Sequence, residues 1–416
     1  MSRRLQVYLH ERLIGHLDQS DDGGLSFRYA EAYLAAPEHG ALSLSLPLGE
    51  QPYDDRHTRP YFGNLLPEGP LRNRLARHLG LSEDNDFALL QAVGGECAGA
   101  VSLLPEDAPP PGAGDYRELQ EDELAGIIRD LPRRPLLAGD AGIRLSLAGA
   151  QDKLPLYRDQ AGTFHLPLGP KPSNVILKPA AGDFEGIAEN EYFCMKLAAA
   201  LGLSVPDAAL LQLNDTRVYL VERFDRRLDS TGEIRRLHQE DFCQALGKPA
   251  NMKYEAEGGP SLGDCFALLT RHAVTPAPDR LELLRRVLFN WLIGNMDAHA
   301  KNFALLLEKQ GPALAPAYDL ISTDAIDGLS RRMAMRIGDE QRPDWLRRDH
   351  FETMSKGAGI NPRLSFRTLE DMVEKLSEVV PEVTESIQDE HGEIPSLSRI
   401  TSIIERRQRK ARILLG

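Results

Sequence analysis

Apolar and polar residues alternate over Leu5–Leu9 and Leu13–Leu17, on either side of a short polar turn, which predicts an opening β-hairpin. Leu42-Ser-Leu-Ser-Leu-Pro-Leu48 keeps the same period of two, with Pro47 pushing it to a sheet edge. Helical segments are expected from about Pro67 to His78 and near Asp86 to Val93. The run Pro105-Glu-Asp-Ala-Pro-Pro-Pro-Gly-Ala-Gly-Asp115 has no period at all. Prolines stiffen it and glycines release it, so residues 1–106 read as a β-rich domain and 107–119 as a linker.

Beyond the linker, strand and helix patterns mix as far as Asp225. Asn174–Lys178, ended by Pro179, and Arg217–Phe224 are β-rich, and between them Gly186–Leu201 has helical spacing. From about Leu237 helices dominate, including a strongly apolar one from Asp279 to Ile293. The order predicts an α+β, bilobed chain: a β-rich N-terminal domain, a small lobe over 120–225 and a large helical lobe over 226–416.

Composition narrows this picture. The 416 residues are 42% apolar and 27% charged, enough to build cores without metals or disulfides. Cys97, Cys194, Cys243 and Cys265 form no C-x-x-C pair and sit in apolar segments, as buried thiols of a reducing compartment do. The first residues do not resemble a signal peptide, and Val287–Gly294 falls far short of a membrane span. A cytoplasmic protein with no membrane partner is expected. A net charge of −13 argues against a grip on nucleic acid by this chain alone. The basic run Arg406–Arg412 reads as the solvated face of a terminal helix, so any DNA contact would be auxiliary to a partner's.

Candidate chemistry centres on Asn295-Met-Asp-Ala-His-Ala-Lys-Asn302. Gly294 closes the preceding helix and an apolar run resumes at Phe303, so Asp297, His299, Lys301 and Asn302 share one short loop. Asp297 and Asn302 stand five apart, the spacing of base and metal ligand in kinase catalytic loops. An aspartate there accepts the proton of an attacking hydroxyl, the asparagine oxygen binds a metal, and Lys301 lies near the moving phosphoryl group. Taken singly, each residue also fits a capping turn. Asp319 is a lone charge in the largely apolar Ala317–Ile321; it either pairs with an arginine or joins Asn302 on magnesium. Lys178, at the end of a predicted strand, is a solvated lysine or a phosphate contact. Glu191 shares the less polar face of the next helix with Ile187, Asn190, Cys194, Met195 and Ala198, making Lys178–Glu191 the expected ion pair and Glu189 the fallback. Ala148-Gly149-Ala150 has little side-chain bulk, so it is either a plain turn or a loop whose backbone N–H groups approach phosphate closely.

Together these stretches resemble the HipA toxin kinases. The likeness runs in order through Phe62–Pro67, Arg144–Lys153, Asn174–Pro179, Glu189–Met195, Val221–Asp225, Leu237–Cys243, Trp291–Phe303 and Tyr318–Ser322, and its motifs stop at about Arg342. The resemblance implies a kinase fold related to lipid kinases and a Ser/Thr protein kinase acting as the toxin of a type II toxin–antitoxin module. It implies Asp297 as catalytic base and Asn302 with Asp319 as magnesium ligands. ATP would be met by Ala148, Gly149, Ala150, Gln151, Asp152, Lys153, Lys178, His299, Ala300, Lys301, Asn302, Tyr318 and Asp319, with Glu222, Arg223 and Phe224 as the hinge at adenine. Ser146 matches an autophosphorylated serine whose modification silences the enzyme. The implied partners are a small helix-turn-helix antitoxin (HipB-like), operator DNA through that antitoxin, and an aminoacyl-tRNA synthetase substrate such as glutamyl-tRNA synthetase. The His-Arg-Asp and Asp-Phe-Gly triplets of typical protein kinases are absent. A small-molecule or lipid kinase on the same scaffold, and an inactive antitoxin-binding corepressor, are the competing readings.

Overall fold

The computed structural model describes residues 3–37, 40–108, 110–111, 114–140, 142–180, 186–228 and 233–416. Arg3–Leu9 (β1) and Arg12–Gln19 (β2) form the expected hairpin, with Leu5 opposite Leu17. Leu25–Tyr29 (β3) and Val101–Leu104 (β4) complete an antiparallel sheet of order β3-β2-β1-β4. Leu5, Val7, Leu17 and Phe27 share one buried core with helices Asp55–Gly63, Gly69–Leu79 and Asp86–Val93. Leu42–Leu48, however, is not a strand. It folds back at an isolated Ser43–Leu46 bridge because its polar positions bond across a domain boundary. Ser43 Oγ and the Leu44 N–H donate to the Glu240 carboxylate, and Ser45 Oγ donates to the Gln244 carbonyl at 2.7 Å.

The small lobe is a six-stranded antiparallel sheet of order β5-β7-β6-β8-β10-β9. Its strands are Asp115–Glu118 (β5), Leu154–Arg158 (β6), Phe164–Leu168 (β7), Val175–Pro179 (β8), Ala208–Leu213 (β9) and Thr216–Glu222 (β10). Residues 115–118, assigned to the linker by composition, are thus an edge strand on β7. Pro109, Gly112 and Ala113 of the same stretch lie outside the described residues. Leu154, Val175, Leu177 and Leu220 pack with Leu124 and Ile128 of helix Glu121–Asp130. The opposite face packs on helix Ile187–Ala200. That helix is buried nearly all round, rather than along one face.

The large lobe opens with a ribbon of Arg226–Leu228 (β11) and Ile234–Arg236 (β12). Gln239–Asp241 (β13), Ala304–Glu308 (β14) and Gly311–Leu314 (β15) then form a small sheet within an otherwise helical lobe. Helix Pro276–Ile293 runs through the core, covered by Leu262–His272 and the C-terminal helices Pro362–His391 and Pro395–Leu415. The basic run is not simply a solvated face. Arg407 is 1% exposed and bonds Asp324 and Asp344, while Arg406 donates to Asp324 at 2.6 Å. The four cysteines are buried and unpaired. Among the described residues no helix is long and apolar enough to cross a membrane.

Candidate active site

Strand period places the first functional group. Val175 and Leu177 of β8 point into the core beneath helix Glu121–Asp130, so Ile176 and Lys178 face the other way, toward helix Ile187–Ala200. Lys178 Nζ donates to Glu191 Oε1 at 2.7 Å and bonds Asp319 Oδ1 as well. The lysine and Glu191 side chains are 7% and 4% exposed, but that of Asp319 is 40% exposed. Glu189, the fallback partner, lies 3.5 Å from Arg217 instead. Burial pushes the Asp319 carboxyl up, yet Lys178 and Lys153 outweigh it and hold its pKa at about 2. Asp319 also has a left-handed backbone, φ 52°, a strained setting for a non-glycine residue.

The loop after helix Pro276–Ile293 supplies the second group. Gly294 closes the helix at φ 77°, and a Cβ there would come within 2.8 Å of Ile403. Asn295 Oδ1 accepts the Asp297 N–H at 3.1 Å, and Thr323 Oγ1 accepts that of Met296 at 2.7 Å. The His299 N–H in turn donates to Asn302 Oδ1 at 3.2 Å, so the loop is held on both sides of Asp297, whose side chain is exposed. Burial of its surroundings raises the Asp297 carboxyl, and a hydrogen bond from Tyr254 opposes that rise. Asn302 Nδ2 stands 3.4 Å from Asp319 Oδ2, and Ala300 is buried. His299 is buried, and desolvation lowers its pKa to about 3, leaving the ring neutral. Lys301 departs from expectation. Its ammonium is turned to the N-terminal domain, where it bonds Asn64 Oδ1 and lies 3.4 Å from Glu68, and it donates to Asp241 at 2.8 Å.

The Ala148–Lys153 loop lies against the N-terminal domain. Glu68 N–H donates to the Gly149 carbonyl at 3.1 Å, and Ser146 Oγ donates to the Leu65 carbonyl at 2.8 Å. Gly149 has φ 109°, and a Cβ there would collide with Lys153 Nζ at 2.5 Å. Lys153 folds inward to the Ala148 carbonyl, where burial and nearby Lys178 lower its pKa to about 8. Asp152 pairs with Arg74 at 2.7 Å, and Gln151 Nε2 reaches the Pro179 carbonyl at 3.4 Å. Ala148 and Gly149 are half-buried and Ala150 is exposed, and none of the three carries more than a methyl group.

At the end of β10, Glu222 is exposed and the Phe224 ring stacks on Tyr318 with centroids 5.4 Å apart, making an aromatic shelf beside Asp319. Arg223 is turned away. Its guanidinium is buried with Glu96 at 2.9 Å and Asp225 at 2.9 Å, tying the end of β10 to the N-terminal domain. Sequence reasoning missed four contributors: Glu68, Glu96, Asp241 and Tyr254. None stands at a spacing that ties it to its partner, which lies 43 or more residues away in the chain. Tyr254 Oη donates to Asp297 Oδ1 at 2.7 Å across 43 residues.

The site thus groups a buried lysine, its glutamate, a cleft-facing aspartate with an asparagine beside it, and an exposed aspartate on a rigid loop. Residues 5–104 match the model of the HipA N-terminal domain, and 145–383 match that of the HipA-like C-terminal domain. The putative kinase Y4mE of Sinorhizobium fredii is 46% identical over 392 residues, 93% of either chain. The serine/threonine-protein kinase toxin HipA of Shewanella oneidensis is 31% identical over 332 residues, covering 77% of this chain and 76% of that one. The solved complex of HipA, HipB and operator DNA from Shewanella oneidensis superposes with a TM-score of 0.84 at 27% identity, over 99% of this chain and 97% of that one. With both halves matched in order and a solved relative superposing along nearly the whole length, this chain belongs to the HipA family.

Proposed function

We propose that the chain is a magnesium- and ATP-dependent Ser/Thr protein kinase that serves as the toxin of a type II toxin–antitoxin module. The observation that carries this reading is Lys178, clamped between Glu191 and Asp319 with Asn302 beside Asp319 and exposed Asp297 on the same loop. Lys178 then meets phosphate oxygens, and Glu191 keeps it extended into the cleft. One carboxylate and one amide oxygen, with shared phosphate oxygens, suit magnesium. Asp319 presents 40% of its side chain to take such a cation, and Asn302 would join it by turning its amide oxygen, which here accepts the His299 N–H at 3.2 Å. Magnesium, when bound, neutralises phosphate charge during transfer. Asp297 accepts the acceptor's proton, the backbone of Ala148–Ala150 lies along the phosphates, and the Phe224–Tyr318 shelf takes adenine.

The names of the relatives support kinase chemistry, and the partners of the Shewanella complex support a small DNA-binding antitoxin and operator DNA. The net charge of −13 suits DNA contact made through that partner. The acceptor, on the family resemblance, is a serine of an aminoacyl-tRNA synthetase, and self-modification falls on Ser146. The test is transfer of the γ-phosphate from labelled ATP, with and without magnesium, to the chain itself and to lysate proteins. Magnesium-dependent labelling of protein is expected. Labelling of small molecules alone, or no ATP binding with magnesium, would overturn the reading.

A further inference from the structure

One short segment of the N-terminal domain, Asn64–Glu68, touches both loops of the cleft. The backbone N–H of Glu68 donates to Gly149 of the Ala148–Lys153 loop, and its carboxylate lies 3.4 Å from Lys301 in the Asp297 loop. The other carboxylate oxygen accepts from Lys253 Nζ at 2.8 Å. From there a chain of contacts leads to the reacting group. The Lys253 ammonium lies 5.3 Å from the centroid of the adjacent Tyr254 ring, and the Tyr254 phenol donates to Asp297 Oδ1 at 2.7 Å. The Tyr254 ring makes a T-shaped contact with buried His299, centroids 5.3 Å apart. Glu68 itself is 11% exposed, so it interacts with its two lysines in a setting of weak screening.

A clasp between domains needs neither a lysine beside the tyrosine nor a phenol on the base. A carboxylate acting as general base, by contrast, must hold one orientation while presenting an oxygen to the acceptor hydroxyl. The Tyr254 bond occupies Oδ1 and fixes the carboxylate plane, leaving Oδ2 for the acceptor. We propose that Glu68 is a positioning residue of the phosphotransfer site, holding the Lys253–Tyr254 segment so that the phenol orients Asp297. This rests on the kinase reading above and deepens it: the N-terminal domain completes the catalytic site.

The experiment is steady-state kinetics on the full chain with magnesium and ATP, reading self-labelling and ADP release for the wild type, Glu68→Gln, Tyr254→Phe and the double variant. Glu68→Gln keeps the backbone bond to Gly149, so KM for ATP is expected to change little while kcat falls by about tenfold or more. Because both residues act on one group, the double variant is expected to be no slower than Tyr254→Phe alone. Loss of the phenol's bond also moves the acidic limb of the kcat/KM profile to higher pH, which a purely structural defect does not do. If Glu68→Gln fails to fold, Lys253→Met cuts the same link from its outer end and carries the same expectations. Unchanged kcat in folded Glu68→Gln or Lys253→Met, or additive effects in the double variant, would overturn the proposal while leaving the kinase reading intact. A wild type that transfers no phosphate overturns the kinase reading, and the proposal with it.

Discussion

Ser146 donates its hydroxyl to the carbonyl oxygen of Leu65 at 2.8 Å, and nothing of the serine is exposed to solvent. The pair joins the loop before Ala148 to the N-terminal domain, across 81 residues of chain. A serine held in this way cannot meet Asp297 unless the loop leaves its seat. Modification at Ser146 therefore requires an opened loop, and a phosphate placed there has no room to let the loop return. Ser146→Ala is expected to remove self-labelling at this position and to cost about 1–2 kcal/mol, because it leaves the buried Leu65 carbonyl unpaired. Peptide mapping of labelled protein and denaturant melts check both halves.

Asp297→Asn separates chemistry from binding. The side chain is exposed, so the fold and nucleotide affinity should persist while transfer falls by about 10²-fold or more. Calorimetric ATP titration beside a labelling assay reads the two independently. Intact transfer in this variant would remove Asp297 as the base.

Lys178→Met should be costly in a different way. It removes the cation between two carboxylates, leaving buried Glu191 facing half-exposed Asp319. Stability is expected to fall by about 3 kcal/mol in urea melts, and ATP binding to be lost. Glu191→Gln, which keeps a hydrogen-bond acceptor for the lysine, should be milder in both respects.

Glu240 gives a pH signature. Burial raises its carboxyl to about 7, despite hydrogen bonds from Ser43 and Leu44 that favour the charged form. A carboxyl whose folded pKa lies above its unfolded value binds its proton more tightly in the folded state. Its contribution is full below the ordinary value of 4.5 and is lost as pH rises to about 7. Glu240→Gln should remove this slope. The difference in unfolding free energy between wild type and variant should change by up to about 3 kcal/mol across that window, measured by urea melts at a series of pH values.

Lys178 and Glu191 are legible in the sequence because two local periods place them. Period two turns Lys178 away from Leu177 and the core, and helical spacing brings Glu191 to the face that receives it. Lys301 is not legible there, since its partners Asn64 and Asp241 lie 237 and 60 residues away. Its spacing within the loop suggests the cleft, but a buried ammonium goes where carboxylates and amide oxygens converge to receive it. Leu42–Leu48 departs from its expected strand for a related reason. Alternation reports that Ser43 and Ser45 stand two apart, not whether their hydroxyls meet water or, as here, Glu240 and the Gln244 carbonyl.

Residue order alone settles most strands and helices with a clear period, Leu42–Leu48 excepted, together with the helix stop at Gly294, the five-residue spacing of Asp297 and Asn302, and the ordered motifs that resemble HipA kinases. These are short-range properties, set by backbone geometry and neighbouring side chains. Only the closed fold makes the N-terminal domain hold Ser146, Gly149 and Lys301, turns Arg223 from the hinge to Glu96, and bonds Tyr254 to Asp297. Those partners are set by which buried polar groups find one another when the domains close. Desolvated charges and hydroxyls must be paired wherever the fold brings a partner, at whatever distance along the chain.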